Sequence, residues 1–158
     1  MAQQKQNNKH NKQSSKKEAK ESSESADAVK FTEQDQLVVA VRIRGLVRVP
    51  GHIKDTLQML NLHKKNFCCV YKDTPSIRGM LQKVKDYITF GTIDYALYTQ
   101  IVEKRAEKDV KKNCMKKFFR LHPPRKGYGR KGVKVPFANS GALGDRKNEM
   151  KDLLIRML

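Results

Sequence analysis

LVVAVRIRG, residues Leu37 to Gly45, alternates with the period of a β-strand: Leu37, Val39, Val41 and Ile43 fall on one face, and Val38, Ala40, Arg42 and Arg44 on the other. One of those faces is wholly apolar, which predicts a strand lying over a core. The period then changes. Ile53, Leu57 and Leu60 recur at helical spacing, with Met59 and Leu62 widening the stripe, so a helix is predicted from Ile53 to about His63. FCCVYK, Phe67 to Lys72, is short, apolar and bounded by polar residues, and reads as a second, central strand. Thr74 is a good N-cap and Pro75 suits the first turn of a second helix. Ile77, Met80, Leu81, Val84 and Ile88 carry its stripe to about Asp86. YITFGTI, Tyr87 to Ile93, predicts a third strand interrupted by Gly91.

The order β-α-β-α-β implies an α+β core. Two right-handed crossovers are expected, with both helices on one face of a small sheet and the opposite face left to meet something else. Asp94 is expected to cap a third helix, Tyr95 to about Lys108, docked through Leu97 and Ile101. Asp145 is expected to cap a last helix whose stripe is Met150, Leu153, Leu154 and Met157.

Charge is placed unevenly. The chain has 158 residues and a formal net charge of +18, and residues 111–158 hold 14 basic against 3 acidic groups. KKNCMKKFFRLHPPRKGYGRKGVKVPF, Lys111 to Phe137, has ten Lys or Arg and no Asp or Glu before Val135. Pro123 and Pro124, followed by Gly127, Gly129 and Gly132, forbid a continuous helix. Such a stretch suits a polyanion. Lys116, Lys117, Arg120, Arg125, Lys126, Arg130, Lys131 and Lys134 would neutralise phosphates, while Phe119, His122 and Tyr128 would stack on unpaired bases. Ordering it costs on the order of 1 kcal/mol per residue in backbone entropy. The arm is therefore expected to stay separate from the core until RNA orders it.

Residues 1–30 are Gln, Asn, Ser, Lys and Glu with little apolar content, and predict a disordered tail. Cys68, Cys69 and Cys114 have no metal spacing, and the first two read as small core hydrophobes in a reducing compartment. No apolar run approaches a membrane span, no signal-peptide pattern opens the chain, and none of the common catalytic motifs occurs. The expectation is a cytoplasmic, non-enzymatic protein with no cofactor, no metal and no small-molecule substrate.

DTPSIRGMLQKV, Asp73 to Val84, closely resembles the DTPxIRGMI segment of the L-thirty family of large-subunit ribosomal proteins. The resemblance runs back through VRIRGLVRVPGHIKDTLQMLNLHKKNFCCVYK. FFRLHPPRKGYG and GALGDRKNEMKDLL are similar to the extension of the archaeal and eukaryotic branch, called L-seven in eukaryotes. The resemblance implies a ferredoxin-like core bound to large-subunit rRNA, with neighbouring ribosomal proteins as further partners. It implies RNA contact by the loop after the first strand, at Arg44, Arg48 and His52, and it puts Arg78 and Gly79 on the family's IRGM positions. Gly79 is expected to admit close approach of a strand or of RNA backbone. The implied organisation is a tail at 1–30, a core at 34–93, a docking helix at 94–110, an RNA-binding arm at 111–142 and an anchoring helix at 143–158. An RNA-binding protein of another ribonucleoprotein, or a nucleic-acid-modifying enzyme, are the alternatives.

Overall fold

LVVAVR becomes the middle of the molecule. In chain order the elements are β1 (Leu37–Arg42), α1 (Gly51–Met59), β2 (Phe67–Lys72), α2 (Pro75–Lys83), β3 (Ile88–Ile93) and α3 (Tyr95–Arg105), followed by β4 (Lys108–Asp109), β5 (Cys114–Met115), β6 (Phe119–Arg120), β7 (Gly144–Asp145) and α4 (Met150–Met157). The computed structural model describes residues 31, 32, 34–110 and 114–158. The tail expected to be disordered, and the first three residues of the basic stretch, lie outside the described residues.

The main sheet has the order β6-β2-β1-β3-β7, and β4 pairs with β5 apart from it. β1 is antiparallel to both of its neighbours, so β2 and β3 run the same way with β1 between them. This is the split β-α-β arrangement of a ferredoxin-like core. It corrects the expectation of two right-handed crossovers: β1 to β2 joins antiparallel neighbours, and only β2 to β3 is a connection to which the handedness rule applies.

Both helices of the core cover one face, as their stripes predict. Leu57 and Leu60 from α1 and its end, and Leu81 and Val84 from α2 and its end, are buried with Val38, Ala40, Cys69 and Ile88. The face expected to stay open is covered as well. Leu37, Val39 and Val41 are buried under Leu97 and Ile101 of α3, Met150, Leu153, Leu154 and Met157 of α4, and Phe119 and Leu121. All six residues of β1 are thereby buried, as in strands with helices on both sides of a sheet.

The helix ends follow local chemistry. At α2, Ile77 N donates to Thr74 Oγ1 at 3.3 Å with Pro75 in the first turn. α1 stops at Met59, earlier than its stripe suggests, where Leu60 caps it and Asn61 turns the chain with φ of 52°. Asp94 stands at the N-cap of α3, but its carboxylate receives Lys151 Nζ and caps no helix N–H. Asp145 lies in β7, and its Oδ1 accepts from Lys147 N at 2.8 Å, at the entry to the short 3-10 turn before α4, so it does not cap α4.

Gly91 sits in β3 directly beneath that turn. A Cβ there would collide with the Lys147 carbonyl oxygen and lie 2.8 Å from Met150 Cβ. Gly91→Ala is expected to lower stability by about 1–3 kcal/mol, because backbone cannot move aside as a flexible side chain can. Thermal denaturation checks this, and an unshifted midpoint would mean that α4 is not seated on β3.

Candidate nucleic-acid interface

At one end of the sheet β1 finishes while β2 and β3 begin: Val41 pairs with Cys68 and Arg42 with Ile88. The loop after β1 leaves from this end. Ile43 N and Arg44 N both donate to Tyr87 O at 3.1 Å. The Arg44 guanidinium lies 5.0 Å over the Tyr87 ring, and its Nη1 donates to Asp86 O at 3.1 Å. Val49 is a buried plug for the loop, and it leaves Arg48, with φ of 56°, and His52 exposed.

Beneath the loop is a residue that alternation alone would place on a polar face. Arg42 is only 2% exposed. Its Nε donates to Arg44 O at 2.8 Å, and its Nη1 to Leu62 O at 3.0 Å and His63 O at 2.5 Å. Carbonyl acceptors satisfy the buried guanidinium, and the staple fixes the backbone that presents Arg44. Asn66 is a second hub. In left-handed conformation (φ 62°) it donates N–H to Arg42 O at 2.8 Å, accepts Leu121 N–H at 3.1 Å, and its Oδ1 accepts from the Tyr128 hydroxyl.

The basic stretch enters at the same end. β6 pairs with β2 through Phe67↔Arg120 and Cys68↔Phe119. The described part of the arm is therefore bonded to the core in the free chain, which corrects the expectation of an arm separate until RNA arrives. His122 N donates to Met157 O and Arg125 N to Arg156 O, each at 3.1 Å. Phe119 and Leu121 are core residues. Phe119 is thus unavailable for stacking on a base, which corrects that expectation. Tyr128 is half-buried against Ile43, Ala142 and Leu143, whereas His122 is exposed.

A cation and aromatic layer decorates the start of the arm. Phe118 stacks on Phe67 with ring centres 4.6 Å apart, and the Arg120 guanidinium lies 5.9 Å from the centre of each ring. Lys116 Nζ donates to Glu107 Oε2 at 2.7 Å, with Arg120 Nε 3.7 Å from the same oxygen. The Lys116 ammonium beside Glu107 holds that carboxyl below its ordinary range. Lys117, Arg125, Lys126, Arg130, Lys131 and Lys134 are exposed.

Arg78 stands apart from the other candidates. It sits near the start of α2, which leaves the opposite end of the sheet, and its guanidinium forks onto Asp73, with Nε to Oδ1 at 2.5 Å. That contact holds the Asp73 carboxyl below its ordinary range. Nothing lies within 4 Å of a Cβ built on Gly79. No strand packs closely there, contrary to one expectation for it, and Gly79 instead lines an open cleft with Val38 and Phe90. Cys68 and Cys69 are buried, and burial pushes the Cys69 thiol up to about 12, a setting for packing and not for thiolate chemistry. Among the described residues no group of His, Cys, Asp and Glu is placed to hold a metal ion, and no helix is long and apolar enough to cross a membrane.

Residues 38–88 match the family model for ribosomal protein L30p/L7e. The large ribosomal subunit protein uL30 of Methanococcus maripaludis is 40% identical, over 75% of this chain and 97% of that protein. Its counterpart from Nanoarchaeum equitans is 36% identical over 77% and 99%, and that from Methanopyrus kandleri 36% over 73% and 100%. Residues 1–88 make up little more than half of the chain, so these matches run well into the C-terminal extension. With a split β-α-β core, a stapled loop and a basic arm at one end of its sheet, the chain belongs to the L30p/L7e family of ribosomal proteins.

Proposed function

We propose that the chain is a non-catalytic structural constituent of the large ribosomal subunit, in the cytoplasm, and that it holds large-subunit rRNA at the end of the sheet where β1 finishes. The loop from Arg44 to His52 and the arm from Lys116 to Lys134 form one continuous basic surface in this reading. Arg44, Arg48 and the exposed arm cations neutralise phosphates, His52 and His122 lie flat on bases or sugars, and Tyr128 holds the arm's course beside Asn66. Arg78 makes a separate, second contact at the far end of the sheet. Neighbouring ribosomal proteins are further partners.

The observation that carries this reading is the convergence of the two segments. Asn66 bonds at once to the end of β1, to Leu121 and to Tyr128, so loop and arm are held by one residue. Sedimentation of tagged full-length protein tests it. The expected result is stoichiometric presence in the large subunit after a high-salt wash, with RNA crosslinks at both the loop and the arm. Protein found free or sub-stoichiometric, together with a turnover activity on nucleic acid, would overturn it.

A further inference from the structure

The second half of the arm folds back on itself and forms an open, shallow cavity of about 360 Å³. Lys126, Arg130, Arg146 and Arg156 line it, with the backbone of Gly127 and Gly141, and no Asp or Glu is among its lining residues. Gly127 adopts φ of 75°, and a Cβ on Gly141 would collide with the Val135 carbonyl, so the wall is built from close-packed main chain.

Arg146 is the unusual member, being only 5% exposed. Its Nε donates to Thr89 Oγ1 at 2.9 Å, and its Nη2 to Tyr128 O at 2.8 Å and Ala142 O at 3.3 Å. Its guanidinium lies 4.6 Å over the Phe137 ring. Every one of these partners is neutral, and Nη1 makes no hydrogen bond among the described residues. Arg156 is similar: its Nε donates to Asp152 O at 3.2 Å and its Nη1 to Gly127 O at 3.2 Å. Burial, and then the charge of Arg156, lower the Arg146 pKa. Glu149 acts on Arg146 in the opposite sense from outside the cavity, but no carboxylate lines the wall that a buried and a half-exposed guanidinium share, which leaves that wall suited to an anion.

We propose that this cavity is a phosphate-binding site that seats one phosphodiester of the bound RNA. Arg146 and Arg156 form its floor, and Lys126 and Arg130 close it from the rim. Guanidinium forks match phosphate oxygens in pairs, and Arg146 is already oriented by its bonds to Thr89, Tyr128 and Ala142. The inference rests on the RNA-binding reading above and adds to it a fixed register, because a phosphate held here aligns the strand on the arm.

Two measurements on the full chain test it. Inorganic phosphate, titrated against chloride at equal ionic strength, is expected to shift the Arg146 Nε–H and the Gly127 and Gly141 amide resonances saturably. The exposed pair Lys126→Gln with Arg130→Gln, which leaves Arg146 and its bonds intact, is expected to weaken that phosphate response at least tenfold. It is also expected to reduce the log–log salt slope for a twelve-nucleotide oligouridine by about 0.7 for each phosphate that is no longer neutralised. Resonances unmoved by phosphate, with oligouridine still bound at an unchanged slope, would overturn the site and leave the RNA-binding reading standing. No binding of oligouridine and no co-sedimentation with the large subunit would remove both.

Discussion

Replacing Arg120, Arg125, Arg130 and Lys131 together by alanine is expected to flatten the log–log salt dependence of RNA binding by up to about 3, at roughly 0.7 for each single-strand phosphate left without its cation. Taken from 1 M down to 50 mM salt, that slope difference corresponds to an affinity loss of roughly several thousandfold. All four side chains are exposed, so the melting temperature is expected to change little. Arg120 lies beside Glu107, Phe67 and Phe118. An exposed ion pair of that kind contributes roughly 0–1 kcal/mol. The backbone bonds that hold the arm, such as Arg125 N–H to Arg156 O, survive the substitutions. Filter binding across a salt series reads the slope, and a slope equal to the parent's would take the arm out of the interface.

Leu154→Ala should cost about 2–5 kcal/mol, the usual range for truncating a fully buried leucine. Against a total stability of roughly 5–15 kcal/mol, that is a large share. Leu154 is 0% exposed and packs with Leu37, Val39 and Val41 of β1, so the loss falls on the central strand and not on a detachable helix. Urea denaturation is expected to show a lower midpoint at an unchanged slope. A midpoint within error of the parent's would mean that α4 contributes nothing to the core.

Much of this architecture is legible in the residues. The alternation from Leu37 to Ile43 marks the central strand, and the stripes through Leu57, Leu81 and Leu154 mark three helices with the correct buried faces. Thr74 and Pro75 mark a helix start that the structure places as expected. What the residues conceal is long-range pairing. β6 is two residues long, too short for any periodic signal, and it joins β2 from some fifty residues away. The closed second face of the sheet did leave a trace: Val38 and Ala40 are apolar as well as Val39 and Val41, the pattern of a strand buried on both sides. Arg42 and Arg146 are the harder cases. Nothing in the sequence pattern marks either for burial, yet each is buried because backbone carbonyls from distant segments accept from it. Within the candidate interface, exposure separates His122 from Phe119, a distinction that composition cannot make, since both stand among basic neighbours.

Closure of the sheet by α4 also has a bearing on synthesis. Val39 and Leu154 belong to one buried cluster but leave the peptidyl-transferase centre more than one hundred residues apart. At about 5–20 residues per second, roughly 6–23 s pass between them. During that interval β1, β2 and β3 can pair and α1 and α2 can cover one side, while Leu37, Val39 and Val41 on the other have only Leu97, Ile101, Phe119 and Leu121 to cover them. A partly covered β-strand surface of this kind is prone to self-association. The nascent chain is thus most vulnerable after its ferredoxin-like half has folded, and the helix that ends the exposure is one of the last parts of the core to be translated.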